Sequence, residues 1–153
     1  MTVETTELIG GVFCDVLARM AFMFGDPTGP ADLPTPAGGA ILAAMTFRGA
    51  RRGSLTLTAA DGLCPELAAN VLGLEPQDAQ ALERSGDAFQ ELLNVTCGHL
   101  LTAVAGEAAV FDLDAPQLGR LDGPGWTALR DAPGAVGFVV EGHPVLLRLQ
   151  LDD

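Results

Sequence analysis

The stretch Ser85-Gly-Asp-Ala-Phe-Gln-Glu-Leu-Leu-Asn-Val-Thr-Cys-Gly-His-Leu-Leu-Thr-Ala-Val104 sets the phase of the whole chain. At about 100° per residue, with Glu91 placed at zero, Leu93, Cys97, Leu100 and Val104 fall between roughly 180° and 240° and form a stripe to be buried. Asp87, Glu91, Asn94 and Gly98 gather on the opposite side, within about 60° of one another, because spacings of four, three and four stack side chains on one helix face. The polar residues therefore point outward together.

Asparagine inside a helix costs several tenths of a kcal/mol against alanine, since its amide competes for backbone hydrogen bonds. Glu or Lys would solubilise a helix face at lower cost. A carboxylate and an amide one turn apart, followed by a glycine that lets another surface approach, fit a site presented to a partner. The spacing alone is equally satisfied by an ordinary solvated face, because Asp, Glu and Asn are mostly exposed in any protein.

Working outward, Glu7–Phe24 reads as an earlier helix with Ile9, Val12, Phe13, Val16, Met20, Met23 and Phe24 on one stripe. Residues 25–39 hold four prolines and four glycines, which exclude helix and central strand alike. Ala40–Arg48 alternates, with Ile41, Ala43, Met45 and Phe47 on one face. Ser54–Thr58 alternates Leu with Thr, and residues 49–53 between the two make a β-hairpin turn whose Arg51 and Arg52 are solvated.

Pro65 and Gly73 bracket a short helix over Glu66–Leu72, and another helical segment starts near Pro76. Val110–Leu113 is a short strand, and Asp114–Gly134 is an irregular segment in which Trp126 covers core. A second hairpin closes the chain, from Val136–Glu141 through Gly142-His143-Pro144 to Val145–Leu151. Its Val145, Leu147, Leu149 and Leu151 share a face. His143 is expected to be exposed and inert, and His99 has no partner at ligand spacing.

The two helices repeat. Glu7-Leu8-Ile9-Gly10 lies 84 residues before Glu91-Leu92-Leu93-Asn94, and in that register Val16 matches Leu100 and Met20 matches Val104. Each helix is followed by a hairpin. The expected fold is α+β: an antiparallel β-sheet built from two pseudo-repeated helix-plus-hairpin halves, about 1–75 and 76–153, with helices packed on it, as one domain over 1–153. Gly10 stands where the second copy has Asn94, and Val3 where it has Asp87, so only the second copy carries the polar set.

Composition narrows the function. Eight basic residues against 20 acidic give a net charge of −12, which repels phosphate backbones and anionic lipid. A nucleic-acid or membrane role is therefore not expected. The amino terminus has no basic run before an apolar core, and Ile9–Phe24 is interrupted by Asp15 and Arg19, so neither a secretory signal nor a span is expected and the location is read as cytoplasmic. Cys14, Cys64 and Cys97 are isolated, which suits buried reduced thiols and no metal site.

At Asp87, Glu91 and Asn94, with Gly98 following, the chain resembles the CheC/CheX family of response-regulator phosphatases, whose signature is Asp or Ser, three residues, Glu, two residues and Asn. The pseudo-repeat, the hairpins and the Val110–Pro116 stretch extend the resemblance over most of the chain. One intact site and one degenerate copy resemble CheX more than the two-site CheC proteins.

The resemblance implies hydrolysis of the aspartyl phosphate on a phosphorylated CheY-like regulator in chemotaxis-type two-component signalling. Asn94 would orient the attacking water, Glu91 would pair with a regulator lysine, and Asp87 and Gly98 would support docking. It also implies a homodimer, no cofactor of the chain's own, and Mg²⁺ carried by the regulator. The alternatives are a non-catalytic CheX-like adaptor that binds a regulator without hydrolysing it, and a small-molecule domain with a pocket around Trp126.

Overall fold

The structure, a computed structural model, describes residues 2–152. Helix α1 spans Val3–Ala21 and begins earlier than its apolar stripe, because Thr2 caps it: the Thr2 hydroxyl accepts the Thr5 N–H. It stops at Phe22, whose left-handed backbone (φ 56°) lets its N–H donate to Ala18 and Leu17. Phe24, expected on the buried stripe, is instead 78% exposed beyond this turn, while Met23 is buried.

The proline-rich connection is more ordered than its composition suggests. Gly25–Thr28 forms strand β1, paired antiparallel with β6 (Ala135–Val140), and Pro30–Asp32 makes one 3-10 turn. Pro27 is tolerated because β1 lies at the end of the sheet. Strands β2 (Ala40–Gly49) and β3 (Gly53–Ala60) form the first hairpin, and β6 with β7 (His143–Leu151) the last. At Gly53 any side chain would collide with the backbone carbonyl of Gln150 and the Phe47 ring, so only glycine lets β3 pass this close to β7.

Two short strands follow α4 (Ser85–Ala105): β4 (Phe111–Leu113) and β5 (Gln117–Leu121), both paired with β2. The seven strands run β1-β6-β7-β3-β2, with β4 and β5 sharing the far edge, all antiparallel. About the central β3–β7 pair this order is a palindrome. Each hairpin is flanked by a strand from the other half of the chain.

One face of the sheet carries α1, α2 (Leu63–Leu72) and α4, and the core lies between. Alternation decides which side chains enter it: Ala43, Met45 and Phe47 from β2, Leu55 and Leu57 from β3, Phe138 from β6, and Val145, Leu147 and Leu149 from β7. From α4 come Leu93, Cys97 and Leu100 as expected, joined by Phe89, Leu92 and Leu101, a stripe wider than one turn-spacing because α4 packs on both neighbouring helices and the sheet.

The opposite sheet face is only partly covered. Helix α5 (Gly123–Arg130), capped by Asp122 accepting the Gly125 N–H, sets Trp126 against Leu33, Ala40 and Leu146. Trp126 is 0% exposed, so it seals this second small core and offers no open pocket to a ligand. The segment that reads as irregular thus contains β5 and α5. The helical segment near Pro76 reduces to α3 (Ala79–Glu83), capped by Asp78.

Candidate functional site: an exposed carboxylate and amide on α4

Helix α4 is held by its buried stripe, and that fixes what its other side presents. Asp87, Glu91 and Gly98 are exposed and Asn94 is half-buried. Asp87, Glu91 and Asn94 line one open cleft of about 360 Å³ together with Gln90 of the same helix, and its far wall is Ala115 and Pro116. Gly98 lies one turn further along, outside the cleft, where an added methyl would touch nothing within 4 Å. Its absent side chain is therefore not demanded by packing within this chain.

Within the described residues, the side chains of Asp87, Glu91 and Asn94 make no hydrogen bond or ion pair. Asn94 is half exposed on the cleft, so its amide is open to water or to a partner. On its other flank the same face meets Ala68, Val71, Leu72 and Arg84. Arg84, also without an ion pair, places one guanidinium beside two carboxylates in a strongly acidic protein.

The wall opposite Asn94 is not a floppy loop. The Asp114 N–H donates to the Thr46 carbonyl at 3.0 Å, and its carboxylate accepts from the Thr46 hydroxyl and from Arg48 at 3.2 Å. Hydrogen bonds from Thr46 and Arg48, with the charge of Arg48, hold the Asp114 carboxyl below its ordinary value of 3.8. Stabilisation from this anchor is therefore complete above about pH 4 and is lost as pH falls through the lowered value. Asp114→Asn should lower the unfolding midpoint at neutral pH and lose that effect in strong acid, as read from paired urea titrations across pH.

The other candidates for chemistry fall away on geometry. Burial pushes the Cys64 thiol up to about 12 and the Cys97 thiol to about 11, and burial with the charge of Asp26 raises Cys14, so all three stay protonated at neutral pH. Among the described residues no group of three His, Cys, Asp or Glu is placed to hold a metal ion. His99 is exposed on α4. His143 departs from expectation: it is only 25% exposed and its Nε2 lies 2.9 Å from Glu66 Oε2, tying the last hairpin to α2.

The sequence reading missed Gln90, Ala115 and Pro116. Gln90 stands four residues before Asn94, which is helix-neighbour spacing, but the wall it faces lies 26 residues away in the chain.

An antiparallel sheet with three helices on one face, one of which carries an exposed carboxylate–amide set along an open cleft, defines an α+β protein of the helix-on-sheet class. Comparison with known proteins agrees. The family model for the chemotaxis phosphatase CheX matches residues 41–127, more than half of the chain, and the chain belongs to the CheX family.

Among solved structures it is similar to a CheX from Desulfovibrio desulfuricans (16% identity, 98% of this chain and 100% of that one, TM-score 0.71). It is similar also to CheX from Vibrio vulnificus (21% identity, 98% and 97%, TM-score 0.71). The CheX-CheY-BeF3-Mg²⁺ complex from Borrelia burgdorferi provides a third such structure (15% identity, 99% and 100%, TM-score 0.67). At these identities the likeness shows the fold. No sequence among curated proteins matches the chain significantly. No helix among the described residues is long and apolar enough to cross a membrane.

Proposed function

We propose that the chain hydrolyses the aspartyl phosphate of a CheY-like response regulator, with Asn94 positioning the attacking water and Glu91 pairing with a lysine of the regulator. The observation that carries this reading is the cleft on α4, where Glu91 and Asn94 sit side by side with no partner among the described residues. Its support at family level is membership of the CheX phosphatases and the complex of the Borrelia burgdorferi relative with CheY.

The chemistry asks little of such a protein. A water oxygen bonds to phosphorus, the bond from phosphorus to the aspartyl oxygen breaks, and phosphate and a free aspartate leave. Catalysis of phosphoryl transfer is mostly positioning and charge compensation, and the regulator brings the acyl phosphate and its Mg²⁺. A neutral amide can hold water in line, whereas a carboxylate at position 94 would repel phosphate and hydroxide. Glu91 orients the pair by taking the lysine's charge. Asp87 and Gly98 are assigned to docking, with Arg84 as local positive charge toward an acidic partner in a protein of net charge −12.

The chain acts as a single CheX-like domain in the cytoplasm and pairs with a second copy, which light scattering of the purified protein tests directly. The activity itself is tested by mixing catalytic amounts of the protein with a phosphorylated chemotaxis-type regulator and Mg²⁺ and following phosphate release. Release at least about 10-fold faster than the regulator's own decay is expected. Tight binding with unchanged decay would replace this reading with that of a regulator-binding adaptor.

A further inference from the structure

The cleft beside Asn94 has two sides, and only one of them is the helix. The other is the three-residue link Asp114-Ala115-Pro116 between β4 and β5. Pro116 fixes its own backbone angle, and the residue before a proline is pushed toward extended conformations, so Ala115–Pro116 is a stiff pair. At one end the link hangs on the sheet through Asp114, Thr46 and Arg48. At the other end the Gln90 amide donates to the Pro116 carbonyl at 2.8 Å, a part-buried bond of good length across 26 residues of chain.

Two further facts show that this contact is built into the helix. At Gly86, one turn before Gln90, the Leu118 side-chain methyl of β5 lies 2.9 Å from where a Cβ would be, so a side chain there would have to push the end of Leu118 aside. The start of α4 is therefore pressed close to the strand that the link leads into. Gln90 also stands one turn from Asn94, on the flank that faces the wall, so whatever fixes Gln90 fixes the gap between Asn94 and Pro116.

We propose that Gln90 is a positioning residue for the α4 site, clamping the Ala115–Pro116 wall at a set distance from Asn94 so that the group entering the cleft meets the amide in one orientation. The clamp rests on the phosphatase reading for its consequence but not for its existence. Gln90 does not touch the reacting atoms. It keeps the cleft from widening; without it, binding of the regulator stays nearly unchanged while the fraction of bound complexes with water in line falls.

The test uses the full chain in three variants: Gln90→Leu and Gln90→Glu, which lose the N–H donor at neutral pH, and Gln90→Lys, which keeps one. Hydrogen exchange of the 114–119 peptide should rise in the first two and return toward the wild-type rate in the third, with exchange in the buried part of α4 unaltered. In the phosphate-release assay the donor-lacking variants should lose about 10-fold in kcat with KM within about 2-fold, and Gln90→Lys should recover most of the loss. Unchanged exchange at 114–119 in Gln90→Leu overturns the clamp. Raised exchange with unchanged kcat overturns its positioning role. If the wild-type protein accelerates no phosphate release, the phosphatase reading fails and the positioning role falls with it, while the clamp itself is still decided by exchange at 114–119.

Discussion

Asn94→Ala is expected to reduce stimulated phosphate release about 100-fold, the scale at which removal of one oriented polar group from a reaction centre is felt, while leaving the fold intact. The second half of that expectation comes from the structure. Asn94 makes no hydrogen bond within the described residues, so its removal leaves no partner unsatisfied. Alanine is moreover the better helix former, by roughly 0.5 kcal/mol. Stability should therefore hold or rise slightly as activity disappears, a combination that a residue kept for packing would not give. Asn94→Asp should be as inactive as alanine, since it restores size and polarity but adds charge facing the phosphate. Activity above half of wild type in Asn94→Ala, with the regulator saturating, would remove Asn94 from the mechanism.

The largest effect on stability is expected at Phe138. Its ring lies 4.7 Å from that of Phe13, centroid to centroid, and is fully buried between α1 and β6. The β-carbon that Gly10 lacks would sit 3.8 Å from it, so α1 rests on this ring at the turn where α4 carries Asn94. Truncation to alanine removes the aromatic contact and leaves a hole that strands on both sides, paired in register at Pro27 and Val145, hold open. A loss of about 3–5 kcal/mol is expected, or a fall in Tm of roughly 10 °C for a chain of this size. Thermal unfolding with a shift below about 2 °C would mean that the site collapses and that Phe138 is not the support of α1.

What could be read from the chain follows how local the cause is. The phase of α4, both long hairpins and the shared face of Val145, Leu147 and Leu149 come from periodicity within a few residues, and the structure has them. The exposure of Asp87 and Glu91 follows from the same phase. β1 and β5 were illegible because their reason for being strands is a partner elsewhere: Val140 to Gly137 for one, Ala40 to Ala44 for the other. Thr2 and Asp122 could have been read as helix caps, and each lengthens or creates a helix that apolar spacing alone does not reveal. The His143–Glu66 contact joins residues 77 apart, and no spacing rule reaches that far. The same holds for the cleft, whose helix side is written in one heptad of sequence and whose wall is not.

The palindromic strand order makes the two halves trade edges. β1 of the first half closes the hairpin of the second, and β4 and β5 of the second close the hairpin of the first. The wall facing Asn94 is consequently hung on Thr46 and Arg48, residues of the copy that carries glycine in place of the asparagine. A duplicated chain woven in this way cannot discard its silent member. Cutting away the first half would unmoor the β4–β5 edge together with the cleft it borders, so the copy without the asparagine is the frame that holds the cleft beside the other.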